Sequence, residues 1–392
     1  MMTKYLEPSE AVLLAESAYD IKANSDAAKK KLVRGLKGYV NLPEETGDTT
    51  PLISGVSGGI FARKESGFGF CGYRAKVNKE DLIISLRGTA SFHDVLTDAY
   101  FKISPSKGAH PVHGGFNRCF NSVCGDIDNF LKVHKPKAAV HCIGHSLGGA
   151  LATLVADHVA RGHGSDRVYL YTLGSPRVGT EKFSTEFTKQ IKAENIFRLQ
   201  HTADPVAAVP IWPFMHVPVK QSGILMDRFG FGFQASAHFG SQYGISVDGK
   251  SWESLKSEAA AIASSDRIER WLESKTPTSF TGKSMMMLSE AIYFVLKKTG
   301  LSYLLNASVN TVATAGYTLL DMLAFALKKG QQLAKKLSKW VKYLVVKMKQ
   351  MLGRNMRNSE EVFSQEYISG LLRDMHKRVN MEVTKALDGL KS

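Results

Sequence analysis

Ala138-Ala139-Val140-His141-Cys142-Ile143-Gly144-His145-Ser146-Leu147-Gly148-Gly149-Ala150 runs from a short apolar stretch through a glycine-rich turn into a small-residue segment that continues to Arg161. An apolar run of this length, closed by glycine, reads as a buried strand, and the Ala/Leu/Val-rich stretch after it as a helix. The turn between them fits G-x-S-x-G, which puts a serine hydroxyl at the top of a sheet on a tight strand-to-helix turn. Glycines two residues either side of Ser146 let backbones pass where a Cβ would clash. The helix that follows the turn aims its free N–H groups and positive end at the same point. In a chain with 34 glycines the five-residue pattern alone is weak. The strand before it and the helix after it give it weight.

Outward from this turn the chain keeps alternating. Residues 59–62, 69–76 and 82–86 read as strands, as do 168–173 and 196–199, the last ending near Asp204. Residues 8–22 and 116–134 read as helices, and 41–58 and 90–114 as loops. The alternation predicts an α/β fold with a largely parallel central sheet. Near 275–283 the character changes, with Pro277, Ser279 and Gly282 marking a linker. Helix-like segments follow near 284–297, 302–329, 331–352 and 359–388, divided by Gly300, Gly330 and Gly353. The expected organisation is an α/β unit over 1–275 and a C-terminal helical region over 284–392.

The chain has 392 residues, enough for one large core and an appendage. Lys and Arg exceed Asp and Glu by 51 − 36 = 15. Ten of those cations and no acid lie between Lys328 and Arg357, so the excess is a local basic surface. Such a surface suits an anionic partner, and without a recognisable reader motif a membrane is favoured over nucleic acid. Cys71, Cys119, Cys124 and Cys142 show neither a disulfide framework nor metal spacing and are expected to be free thiols. Met1 to Glu10 lacks the cationic start and apolar run of a Sec signal. A cytoplasmic protein, or one exported by a leaderless route, is the expectation.

A serine hydroxyl is a poor nucleophile until a base takes its proton. On this type of fold the partners follow in the order acid, then histidine. Asp204, in His201-Thr202-Ala203-Asp204-Pro205-Val206, stands just past a predicted strand. Within 1–275 the histidines after it are His216 and His238. His238 is the first candidate base and His216 the alternative.

Leu86-Arg87-Gly88-Thr89, Val112-His113-Gly114-Gly115-Phe116, Gly144 to Ala150, Thr172-Leu173-Gly174-Ser175-Pro176-Arg177-Val178-Gly179 and Asp204-Pro205-Val206 occur in this order. Together they resemble the landmarks of the class 3 (fungal-type) lipases over residues 10–270. The resemblance implies an α/β-hydrolase fold, Ser146 as nucleophile, Asp204 as acid, His238 as base and His216 as a structural histidine. It implies an oxyanion hole built from Leu147 and Thr89, and a lid over 91–108. The family usually carries an aromatic pair three to four residues after the base. Here Tyr243 is five away and is followed by glycine.

Phe92 and Leu96 give the lid segment an apolar side, and Trp212, Phe214 and Phe231 are candidates for an acyl groove. Residues 301–327 carry one charge, Asp321, and read as either an inserting helix or part of a bundle. Residues 331–352 set Leu337, Trp340, Val341, Leu344, Val345 and Met348 against lysines at helical spacing. That pattern suits an anionic membrane surface or, equally, a lysine face over a bundle core. No metal or organic cofactor is called for. The expected function is hydrolysis of lipid esters, with lipid or phospholipid as substrate. Two further readings stay open. One is a bacterial effector of type VI secretion, a role the family also supplies, with an immunity protein as partner. The other is a catalytically silent lipase-fold interaction protein.

Overall fold

Leu82-Ile83-Ile84-Ser85-Leu86 is buried along its whole length. So are Val140–His145, Val168–Leu173 and Ile196–His201. Strands with no exposed side are central strands of a sheet covered on both faces. In the computed structural model, which describes residues 4–21, 25–44, 51–57, 64–88, 103–219, 223–230, 232–262, 267–302, 319–354 and 363–389, these four lie side by side. In chain order the strands are β1 (Val40–Asn41), β2 (Leu52–Ser57), β3 (Lys64–Arg74), β4 (Leu82–Leu86), β5 (Ile103–Pro105), β6 (Pro111–His113), β7 (Val140–His145), β8 (Val168–Leu173), β9 (Gly179–Thr180), β10 (Ile196–His201), β11 (Phe214–Met215) and β12 (Ile224–Met226).

The main sheet has the order β1-β3-β4-β7-β8-β10-β12, with β2 also on β3. From β4 to β12 every pairing is parallel; β1, β2 and β3 form an antiparallel end. This is the α/β arrangement with a largely parallel sheet that the alternation predicted. A second, antiparallel sheet has the order β11-β9-β6-β5, of which β5 and β6 lie within 90–114, read as loop. Strands of two or three residues carry no readable period. The strand expected at 59–62 lies outside the described residues.

Side chains alternate across the main sheet and feed two cores. Leu82, Ile84, Leu86, Val140, Cys142 and Leu170 join the core beneath the helices Gly114–Val133 and Leu147–His163. Ile83, Ile143, Tyr171, Leu173, Phe197 and Leu199 join the core under the N-terminal helix Pro8–Ser17. The four cysteines are buried free thiols.

The helices after residue 281 belong to the first of these cores. Met285, Leu288, Ile292, Leu323, Leu327, Val341, Leu344, Met348, Leu371 and Met375 continue the same apolar cluster. The helix Gln365–Asp388 packs against the 3₁₀ turn Ala235–His238. The helix Lys335–Met351 turns Trp340, Val341, Leu344, Val345, Met348 and Met351 inward. This corrects the idea that the apolar stripe of 331–352 faces a membrane. Six such side chains at roughly 2 kcal/mol each make their exposure cost on the order of 10 kcal/mol. Two of its lysines are buried as well. Lys347 donates to the carbonyls of Ser274 (2.8 Å) and Thr276 (3.3 Å), and Lys349 stands 5.4 Å over the Phe363 ring. Among the described residues no helix is long and apolar enough to cross a membrane. Most of 301–327 lies outside them.

Candidate active site

The parallel register brings the strand ends together. Leu86 pairs with Gly144, so the chain two residues on sets Gly88 against Ser146. A Cβ on Gly88 would lie 2.8 Å from that of Ser146. His145 pairs with Leu173, and Leu173 with Leu199, so the turns after β8 and β10 arrive at the same edge. The C-terminal edge of a parallel sheet is where such folds gather reacting groups.

Ser146 sits between β7 and the helix Leu147–His163 with φ 60° and ψ −131°. For a residue bearing a Cβ this is a strained backbone, and it lifts the side chain out of the turn. The two flanking glycines are required by close approach. A Cβ on Gly144 would come within 2.1 Å of the Gly148 carbonyl oxygen, and one on Gly148 within 2.1 Å of that of Leu86.

Ser146 Oγ lies 2.9 Å from His238 Nε2. His238 Nδ1 lies 2.9 Å from Asp204 Oδ2 and 3.1 Å from Oδ1. All three side chains are buried. Asp204 also accepts from the Tyr243 hydroxyl at 2.7 Å and from the Val206 N–H at 2.9 Å. Burial alone would raise its carboxyl, but the His238 charge and the hydrogen bonds from His238, Tyr243 and Val206 outweigh this and hold it below the usual carboxylate range. The carboxylate is thus fixed as an acceptor for one imidazole nitrogen while the other faces Ser146.

His145 braces the base from behind. Its Nε2 lies 2.7 Å from the His238 carbonyl and its Nδ1 2.7 Å from the Tyr19 hydroxyl. Burial pushes its pKa down to about 3, so it is neutral. Tyr19 in turn accepts from the Gly88 N–H at 3.1 Å. The Arg87 guanidinium fixes the same segment by donating to the carbonyls of Gly67 and Gly88, both at 2.6 Å. Leu147 is the first residue of its helix, where amides lack intrahelical partners. The roles of Tyr19, His145 and Tyr243 were missed from sequence, because the contacts that define them span 39 to 126 residues.

Thr89, Phe92, Leu96 and Phe231 lie outside the described residues, so the expected second oxyanion donor, residues 91–102 of the lid segment and one groove residue are not placed. His216 is not joined to the Ser146 group; its Nε2 lies 2.9 Å from the Ala207 carbonyl. Trp212 and Phe214 are buried in the wall of a cavity of about 500 Å³ beside the helix Gly282–Lys298. The residues lining that cavity do not include Ser146, Asp204 or His238.

Hydrogen-bonded serine, imidazole and carboxylate groups at a helix N-terminus can perform acyl transfer by a covalent acyl-serine. Residues 83–214 match the family described as Lipase (class 3). The chain is 32% identical over 180 residues to a secreted mono- and diacylglycerol lipase 1 of Fusarium solani, covering 44% of this chain and 50% of that protein. It is 32% identical over 132 residues to Toxin TseL of Vibrio cholerae serotype O1, covering 33% of this chain and 19% of that protein. The chain spans about half the length of the fungal curated relatives it matches. A crystal structure of the lipase from Rhizopus microsporus var. chinensis matches with a TM-score of 0.41 at 21% identity, over 56% of this chain and 74% of that one.

Proposed function

We propose that this chain is a serine carboxylester hydrolase of lipid esters, with Ser146 as nucleophile, His238 as general base and Asp204 as its orienting acid. The carrying observation is the continuous hydrogen-bonded series from Ser146 Oγ through both His238 nitrogens to Asp204. Ser146 Oγ attacks the ester carbonyl as His238 Nε2 takes its proton. The Leu147 N–H, with Thr89 as the expected second donor, holds the oxyanion. His238 then protonates the leaving alkoxide, and water repeats the sequence to release the acid. The intact series disfavours a silent lipase-fold interaction protein. The test is hydrolysis of short-chain nitrophenyl esters by the wild type and by Ser146→Ala, with mass spectrometry of products from mixed bacterial phospholipids to define the natural ester.

The similarity to Toxin TseL supports a more specific reading, an antibacterial phospholipase effector that acts at membranes. Exposed Lys329, Lys335 and Lys336 suit an anionic phospholipid surface. A small immunity protein would then protect the producer by covering the mouth above Ser146. Expression in the periplasm and in the cytoplasm of a bacterial host, each with the Ser146→Ala control, tests this. Serine-dependent lysis or growth arrest supports it, and harmless high-level expression of active enzyme in both compartments ends it.

A further inference from the structure

On the side of the fold where Gly114–Val133 packs against the nucleophile helix, three chemically different groups converge. Cys124 Sγ, the Asp128 carboxylate and His158 Nε2 all lie within 4.8 Å of one another. Cys124 and Asp128 are four residues apart and share one helix face, while His158 comes from the helix that begins after Ser146. Sγ lies 3.6 Å from Asp128 Oδ2, and His158 Nε2 lies 2.6 Å from Oδ1.

From these groups we propose that Cys124, Asp128 and His158 form a Zn²⁺ site that ties the nucleophile helix to its neighbour, the fourth position being filled by water. Zinc bonds of about 2.0–2.3 Å in a tetrahedron separate neighbouring ligand atoms by about 3.3–3.5 Å. The separation of Sγ from Oδ2 already has that length, and because the imidazole contacts Oδ1 the carboxylate turns to offer a single oxygen to the ion. The imidazole–carboxylate pair, now in hydrogen-bond contact, opens by roughly 0.7 Å. Both side chains are part-exposed, 38% for Asp128 and 24% for His158, which gives the ion an entry and the side chains room to turn. An Asp–His pair alone explains two of the groups; the sulfur turned onto the same carboxylate is the third. Thiolate with imidazole selects zinc over the hard, oxygen-seeking Ca²⁺ and Mg²⁺.

Loading changes no oxidation state. Without an ion, burial and the Asp128 charge push the Cys124 thiol up to about 11, with Lys107 opposing them, so the sulfur carries its proton at neutral pH. On binding, that proton leaves to the buffer as the S–Zn bond forms. His158 coordinates through Nε2, its ring proton then being carried on Nδ1. The carboxylate replaces its hydrogen-bond donor with the ion, and hydrating waters return to solvent. One thiolate, one carboxylate and Zn²⁺ sum to zero charge. The ion lies apart from the ester chemistry, so the site stands or falls independently of the proposed activity.

Tag-free, chelator-stripped full-length protein is titrated with zinc sulfate by calorimetry in two buffers of different ionisation heat. One Zn²⁺ per chain and release of one proton are expected, with affinity reduced about 100-fold or more in His158→Gln and Cys124→Ser and unchanged in Cys119→Ser. Co²⁺ should give a thiolate-to-cobalt charge-transfer band that Cys124→Ser removes. If Cys124→Ser fails to fold, the part-exposed His158→Gln decides by affinity. No stoichiometric binding, or equal binding by wild type and His158→Gln, overturns the site.

Discussion

Tyr243 donates its hydroxyl to Asp204 Oδ2 at 2.7 Å, the same oxygen that holds His238 Nδ1 at 2.9 Å. The tyrosine that stands one or two positions beyond the family's aromatic pair is therefore an arm of the acid. Its ring also stacks on His201 at 4.2 Å, so the hydroxyl is fixed from two sides.

Tyr243→Phe should leave the fold intact and lower kcat/KM about 10- to 100-fold. It removes a hydrogen bond to a charged acceptor, worth about 1.5–3 kcal/mol. The loss raises the Asp204 pKa, because one donor holding it down is gone, so the acid limb of the rate profile moves to higher pH. A pH series of kcat/KM checks both effects. A rate within twofold of wild type on an unmoved profile refutes the role.

Ser146→Ala and His238→Ala should each cost several orders of magnitude, and the double variant little more, since the groups act as one unit. His216→Ala should keep most of the activity, because its ring is engaged with the Ala207 carbonyl. Initial rates on a soluble ester decide. Residual Ser146→Ala activity within tenfold of wild type, or a dead His216→Ala, would reverse the assignment.

His113 is wholly buried between Phe116 and Phe214, and neither ring nitrogen has a hydrogen-bond partner among the described residues. Burial, with the Arg118 charge, lowers its pKa to about 3. Between about 3 and 6.5 the unfolded chain binds the proton that the folded chain refuses, so this group costs stability as pH falls through that window. At pH 5 the cost is about 2 kcal/mol. Glu16 runs oppositely: burial raises its carboxyl to about 7, so its contribution fades as pH rises from 4.5 to 7. His113→Phe should accordingly gain on wild type in melting temperature as the buffer is acidified. Parallel melting curves at pH 7 and pH 5 would exclude this.

The fold was legible where the chemistry is local. The runs Leu82–Leu86 and Val168–Leu173 have the bounds read from sequence, because fully buried strands are unbroken apolar runs. The Ser146 turn was legible because its glycines answer steric demands two residues away. The pairing of β6 with β9 was not, since it involves single residues far apart in the chain. The amphipathic pattern over 331–352 was read correctly as a helix, but a pattern cannot say whether its apolar stripe meets lipid or protein. The partners of that stripe, such as Phe294 against Trp340, lie in other helices. Buried Lys347 inverts the usual reading of lysine as a solvent marker, which only its carbonyl partners explain.

If the C-terminal helices meet an anionic membrane, they do so through exposed charge. Deleting 284–392 is a poor test, because the helix Gln365–Asp388 packs against the turn that carries His238 and the deletion would unroof the core. Lys329, Lys335 and Lys336 are exposed, and Lys329 stands 5.6 Å over the ring of Phe325, itself 41% exposed. Each lysine near an anionic surface contributes about 1 kcal/mol, so the triple change to Gln should weaken binding to phosphatidylglycerol vesicles by about 100-fold at low salt. Raising the salt should shrink the difference, since screening acts on exposed charges first. Hydrolysis of a soluble ester should stay the same, because none of the three touches the Ser146 group. Vesicle co-sedimentation at two ionic strengths, with neutral phosphatidylcholine vesicles as control, makes the measurement. Equal sedimentation of wild type and triple variant with the anionic vesicles would remove this face from consideration as the membrane contact.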